Sequence, residues 1–225
     1  MSKANIFIVG GGKGGVGKTM TSITLIDWLL YDKQSANVTL IETDDSNPDV
    51  YKTYQKTDTV TKEVINLDAE AGWVKLMNNM PNWAKYNTQV VVNTAARATP
   101  KLIKYIGDVQ SGANELKMQL HFLWPINRQK DSLILLHDVI SKHKLNTTVV
   151  KNLYFGEAGQ FALFDTTEFT KNIKSIELPS LNDVVADRVY SDRLTLNDAD
   201  KFHFGERSSL ARYRASAYEQ FNKLA

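Results

Sequence analysis

Gly12-Lys13-Gly14-Gly15-Val16-Gly17-Lys18-Thr19 stands just after the apolar run Ile6-Phe7-Ile8-Val9. The stretch fits Gly-x-x-x-x-Gly-Lys-[Ser/Thr], at a point where a strand gives way to a helix. Its glycines let backbone N–H groups turn inward around an anion, and the helix that follows presents its positive end to the same place. In that geometry Lys18 reaches β- and γ-phosphate oxygens as a movable point charge, and the Thr19 hydroxyl coordinates a Mg²⁺ that bridges them. The expected anion is the phosphate tail of a nucleotide. A glycine-rich turn with incidental lysines is the plainer alternative, and the strand before and the helix after argue against it.

The rest of the composition narrows the class. With 225 residues, the chain suits one α/β domain over 1–225, a mostly parallel sheet covered by helices on both faces. It has no cysteine, which excludes a thiolate metal site or a redox motif. A net charge of +2 argues against binding nucleic acid through a broad polycationic surface. No stretch has the length of a membrane span and residues 1–20 carry no signal-like core, so integral membrane contact is not expected and a cytoplasmic location is the default.

Lys13 is an extra lysine inside the loop, and the order Lys-Gly-Gly-x-Gly-Lys-Thr is a narrower pattern than the phosphate loop itself. Here the chain resembles the deviant Walker A ATPases, the family of ParA, MinD and the nitrogenase iron protein. The absence of cysteine sets it apart from members that hold an iron–sulfur cluster. The resemblance implies a P-loop ATPase fold, ATP or ADP with Mg²⁺ as ligands, and a nucleotide-dependent homodimer in which Lys13 reaches the partner's nucleotide. The implied nucleotide-binding residues are Gly12, Lys13, Gly14, Gly15, Val16, Gly17, Lys18, Thr19 and Met20, and Lys13 and Lys18 also count among the catalytic ones.

The apolar run Met20 to Tyr31 reads as a tightly packed helix, and Val38-Thr39-Leu40-Ile41 as a second buried strand leading into Glu42-Thr43-Asp44-Asp45-Ser46-Asn47-Pro48-Asp49. Carboxylates at the carboxyl end of such a strand lie where open parallel sheets bind ligands. The family's second strand ends in Asp-x-Asp, which Glu42-Thr43-Asp44 matches at its second acid. The resemblance therefore makes Asp44 the catalytic acid that directs the attacking water, and Thr19 and Asp44 the metal-side residues. Asp45 and Asp49 read as solvated.

From Tyr51 to Pro81 the signal is thin, with a short helix over 69–80 packed through Trp73, Leu76 and Met77 and ended by Pro81. Gln89-Val90-Val91-Val92 reads as the third strand. An aspartate usually follows it in P-loop ATPases, and here Asn93 stands instead. An amide can hydrogen-bond a metal-bound water but carries no charge, which predicts weaker metal holding, slow or absent hydrolysis, or compensation by Asp44 and Glu42. Arg97 is open to two readings, a switch residue answering to the γ-phosphate or a surface arginine.

A helix starts at Pro100, a fourth strand spans 119–124 and stops at Pro125, and a covering helix spans 132–142. A fifth strand, 146–151, ends at Asn152, which resembles the asparagine that reads the adenine edge in MinD-like proteins and equally suits an ordinary strand end. A last strand at 175–178 precedes Pro179, similar in place to the family segment that walls the base. The final helix, 208–224, has a narrow stripe of Leu210, Tyr213, Ala217, Phe221 and Leu224. Core packing is preferred there over a membrane-surface helix or a DNA contact through Arg207, Arg212, Arg214 and Lys223. The four histidines show no metal-ligand spacing, and His121 reads as a satisfied core residue.

Within the family the 43–50 and 151–156 segments look most like the plasmid StbB, MobD and TraL group. That likeness implies an ATP-driven switch in plasmid stability, positioning or conjugative mobilisation, with a DNA-binding adaptor from the same operon as its partner. Direct DNA binding has weaker support. Two rival classes are a nucleotide-sensing adaptor that hardly hydrolyses ATP, favoured by Asn93, and a P-loop kinase or ligase, disfavoured by Lys13.

Overall fold

Alternation within Asn5–Val9 (β1) sends Ile6 and Ile8 into one hydrophobic core and Phe7 and Val9 into another. A strand apolar on both faces must be covered on both, which is the condition of a central strand in a parallel sheet. The computed structural model describes residues 3–224 and meets that condition. After β1 the chain runs through α1 (Lys18–Tyr31), β2 (Val38–Glu42), α2 (Asp49–Tyr54), β3 (Thr61–Val64), α3 (Glu70–Lys85), β4 (Gln89–Asn93) and α4 (Thr99–Glu115). It continues through β5 (Gln119–Ile126), α5 (Lys130–Ile140), β6 (Thr147–Asn152), α6 (Ala162–Thr166), β7 (Lys174–Leu178), α7 (Asp183–Ser191) and α8 (Phe204–Phe221).

The seven strands form one sheet in the order β3-β2-β4-β1-β5-β6-β7, with every pairing parallel. Residues of α3, α4, α5 and α6 fill the core on one face, and those of α1, α2, α7 and α8 the core on the other. Because all strands point the same way, the loops after β1, β2, β4, β6 and β7 gather at one end of the sheet. That end is where ligands bind in open α/β folds.

The elements read from the sequence are present, with three corrections ahead of the last helix. Pro81 does not end its helix: α3 runs on to Lys85, because the stripe Trp73, Leu76, Met80 continues to Trp83, all four buried. Burying an indole recovers about 3 kcal/mol, comparable to the cost of about 3 kcal/mol of a mid-helix proline. Pro125 does not stop β5 either. Leu123 pairs with Val9, the last residue of β1, so the side of Pro125 that lacks an N–H faces no strand, while β5 goes on pairing with β6 through Ile126. Third, the thin stretch holds α2 and the edge strand β3, so the strand at 89–93 is the fourth. Lys62 and Glu63 keep β3 half-exposed and polar, as suits a short edge, and they erase its apolar signal.

The last helix begins at Phe204, four residues before the expected Ser208, because the Glu206 side chain accepts from the His203 backbone N–H at 2.8 Å and caps it. Its stripe is core: Leu210, Tyr213, Ala217 and Phe221 are buried. Of the basic residues weighed for DNA contact, Arg214 donates to buried Asp27 at 2.8 Å and Lys223 to Gln220 at 2.8 Å. Two more bonds join α8 and its continuation to α1, Thr24 with Tyr213 at 2.7 Å and Trp28 with Asn222 at 3.2 Å. No helix among the described residues is long and apolar enough to cross a membrane.

Candidate functional site

The loop between β1 and α1 takes its shape from two glycines. Gly15 has φ 75° and Gly17 φ 105°, left-handed values that other residues adopt at a cost. Gly17 also lies so close to the Asn152 amide that no Cβ could fit between them. An added Cβ at Gly14 or Gly15 would meet nothing within 4 Å, so no protein atom fills the space beside them. That is the fit expected of a cradle for an anion.

Lys18, first residue of α1, is buried, and its Nζ donates to the Lys13 carbonyl at 2.9 Å. Burial lowers its pKa to about 8, opposed by the nearby Asp44 carboxylate. A lysine held this way is poised for an anion, whose charge would restore full protonation. Lys13 points elsewhere, its Nζ donating to Gln129 Oε1 at 2.6 Å and Asp131 Oδ2 at 3.0 Å at the start of α5.

Two clefts meet at this loop. One, of about 330 Å³, is lined by Gly14, Gly15, Gly17, Lys18, Thr19, Asp44, Asn47, Asp49, Asn93, Thr94, Ala96 and Tyr190. It brings together the loop and the ends of β2 and β4, so Lys18, Thr19, Asp44 and Asn93 share one wall. The other, of about 450 Å³, lies between the loop and α7 and includes Met20, Asn152, Tyr154, Phe155, Pro179 and Leu181. Gly12 and Val16 do not line either cleft. Val16 is buried beneath the loop, and its carbonyl accepts from Asn152 Nδ2 at 3.1 Å. The same amide's oxygen accepts from the Tyr154 backbone at 3.2 Å. Asn152 is thus a brace for the loop as well as a cleft residue.

Asp44 Oδ1 accepts from the Ser46 and Asn47 backbone N–H groups at 3.2 and 3.1 Å, which fixes the carboxylate in its turn. Arg97 spans the acidic loop, with Nη2 2.9 Å from Asp45, Nη1 3.5 Å from Asp44, and a further ion pair to Asp68. It is exposed, as the surface reading has it, and its ion pairs also tie the loop after β4 to the loop after β2.

The sequence names Glu42 as a departure from aspartate and as one residue that could compensate for Asn93, but not its contacts. Glu42 is fully buried, and its Oε1 accepts from Asn93 Nδ2 at 2.9 Å and from the Thr43 and Asp44 backbones. Asn93 Oδ1 in turn accepts from Ser22 at 3.0 Å. Glu42 Oε2 is buried with no partner among the described residues. Desolvation pushes the Glu42 carboxyl up to about 7, with the Asn93 bond opposing. The signal was available: β2 and β4 are neighbours, and their last residues, Glu42 and Asn93, stand in register.

Among the described residues no cluster of three or more His, Cys, Asp or Glu side chains could hold a metal alone. The donor set at the cleft, one hydroxyl with an amide and carboxylates behind it, instead fits Mg²⁺, which takes much of its coordination from phosphate and water.

The loop is that of a P-loop protein, and the sheet with its helices has the fold of the MinD structures. MinD of Aquifex aeolicus, solved in a complex with MinC, superposes with a TM-score of 0.60 at 14% identity, over 98% of this chain and 96% of that one. MinD of Pyrococcus horikoshii, solved with Mg-ADP, gives 0.59 at 13% identity over 98% and 97%. A nucleotide-binding protein of Archaeoglobus fulgidus in complex with ADP gives 0.52 at 14% identity over 97% and 92%. No protein-family model matches the chain. Protein MobD of Acidithiobacillus ferrooxidans is 36% identical over 220 residues, covering 95% of this chain and 94% of the relative. The chain belongs to the MobD family.

Proposed function

We propose that this chain is an ATP-binding and ATP-hydrolysing switch that pairs with a second copy when nucleotide is bound and acts in plasmid stability, positioning or conjugative mobilisation. The carrying observation is the loop itself, two left-handed glycines and a buried lysine opening onto clefts continuous across Gly15 and Gly17. The MobD relationship supports the plasmid role, and the ADP in the MinD and Archaeoglobus structures supports the ligand.

The loop's N–H groups and Lys18 hold the phosphate tail by charge and direction, and phosphoryl transfer asks for little more than positioning and charge stabilisation. Thr19 would hold Mg²⁺, with Asp44 and the Glu42–Asn93 pair nearby, and the ion would supply neutralisation of phosphate charge. Asp44, fixed by its turn, directs the attacking water. Lys13 leaves Asp131 and Gln129 to reach the partner's phosphates, so pairing begins by opening a contact within the chain. A DNA-binding adaptor from the same operon is the partner this reading favours.

Sedimentation of wild type and Lys13→Ala with ADP, ATP and a non-hydrolysable analogue tests the switch. The wild type gains mass with the analogue and the variant does not; equal masses throughout would remove the proposal. A second reading, an adaptor that senses ATP and hardly hydrolyses it, is favoured by Asn93 and by Arg97 sitting across the Asp44 loop. Phosphate release that stays at background with and without a DNA-binding partner would select it.

A further inference from the structure

Among the described residues, Gly15, Gly17 and Tyr190 are the ones that line both clefts. The glycines belong to the loop, and Tyr190 comes from the last turn of α7. A ligand that occupies both clefts, with its base on the α7 side and its phosphates beside Lys18 and Thr19, therefore crosses the place that these three residues share. On the nucleotide reading proposed above, the part of the ligand at that waist is the ribose and the first phosphates.

We infer that Tyr190 grips the bound nucleotide at this waist, its ring against the ribose and its hydroxyl toward the phosphates, so that the site favours ligands in which base and phosphates are joined.

Three observations support the assignment. Tyr190 is anchored, since Val189 beside it on α7 is fully buried in the core and the chain just past the helix is pinned by Arg193, whose Nη1 meets Asp49 at 2.9 Å. Arg193 holds a left-handed φ of 56°, so the clasp is kept against a backbone preference. Asp49 and Tyr190 face the phosphate cleft together, and desolvation, with the Asp49 charge next, raises the phenol's pKa. A phenol keeps its proton at neutral pH in any case, so the hydroxyl is a donor, the form a phosphate oxygen requires. Tyrosine also suits the place because one end of it is apolar and the other polar.

Isothermal titration of wild type, Tyr190→Ala and Tyr190→Phe with ADP and with inorganic pyrophosphate tests this. Tyr190→Ala is expected to weaken ADP on the order of tenfold and pyrophosphate by the smaller share of the hydroxyl alone, about threefold, with Tyr190→Phe in between for ADP. Undiminished ADP affinity in both variants, or equal losses for ADP and pyrophosphate, overturns the inference. Should Tyr190→Ala not fold, ¹⁹F spectra of 3-fluorotyrosine-labelled protein serve, with the Tyr190 line assigned by its absence in Tyr190→Phe. A line that moves with ADP supports the contact, and one that stays still overturns it. Wild type giving no heat with ADP would remove the nucleotide reading itself; wild-type binding with unaffected variants removes only the waist.

Discussion

At Gly17 two demands coincide, a left-handed φ and a neighbouring amide too close for a Cβ. Gly17→Ala should therefore lower stability by about 1–3 kcal/mol in urea melts, and it should remove nucleotide binding in calorimetry because the loop must shift off Asn152. The Glu42–Asn93 pair makes an opposite kind of prediction. Asn93→Asp restores the usual residue but sets a second carboxylate against one that is already buried, so the nucleotide-free chain should lose about 1–3 kcal/mol. Adding Glu42→Gln should return most of that loss, since one charge and one amide again share the bond. If the single variant proves neutral in urea melts, the two carboxyls do not share an environment. The motif pointed to Lys18 and Thr19 and the family resemblance to Asp44, and all three line one cleft. Their neighbours were not legible in the sequence, because the hydrogen bonds of Glu42 and the reach of Tyr190 arise from strand register and from a helix some 170 residues downstream of the loop.

Among the elements, α1 and α8 illustrate how far pattern reading goes. The apolar-all-round α1 announces burial, and the stripe on α8 announces a packed face, but nothing in either shows that they meet through Asp27 and Arg214. Asp27 is buried, and its carboxylate also accepts from Tyr218 at 2.5 Å. Arg214→Ala leaves that acid without its counter-charge, a loss of about 3 kcal/mol in denaturant unfolding. Arg214→Met with Asp27→Leu should cost much less, since the charge is removed with its partner; equal losses would show that packing alone holds the helices. Strands and helices with a clean period were placed within a few residues. Those without one, α2 and β3, went unseen because the edge strand is polar and six residues that bury Val50 and Tyr54 are too few to show a helical period. The two prolines misled in the same way, as local breakers overruled by tertiary context, Trp83 in one case and the end of β1 in the other.

For the molecule as a whole, stability should depend on pH through His121. It is buried at the amino end of the sheet, stacks on Phe7 at 4.7 Å and meets Asn5 at 3.3 Å. Burial, helped by the Lys174 charge, lowers its pKa below the ordinary 6.5. More than about one unit above pH 6.5 neither folded nor unfolded chain protonates this ring, so it exerts no pH effect there. Below it the unfolded chain takes up the proton and the folded chain resists, so stability falls with a slope of up to about 1.4 kcal/mol per pH unit. Urea midpoints of wild type and His121→Gln across pH 5 to 8, about the range where imidazole titrates, should diverge only on the acid side. Matching curves would assign the acid sensitivity elsewhere. The bonds between α1 and α8 have one more consequence. The loop is made early in synthesis, whereas the helix that backs it emerges some 190 residues later, so a nascent chain holds the phosphate-gripping sequence without its rear support. A ribosome-bound fragment ending before α8 would be a weak competitor for cellular ATP, and the grip would become available only once that helix has left the exit tunnel.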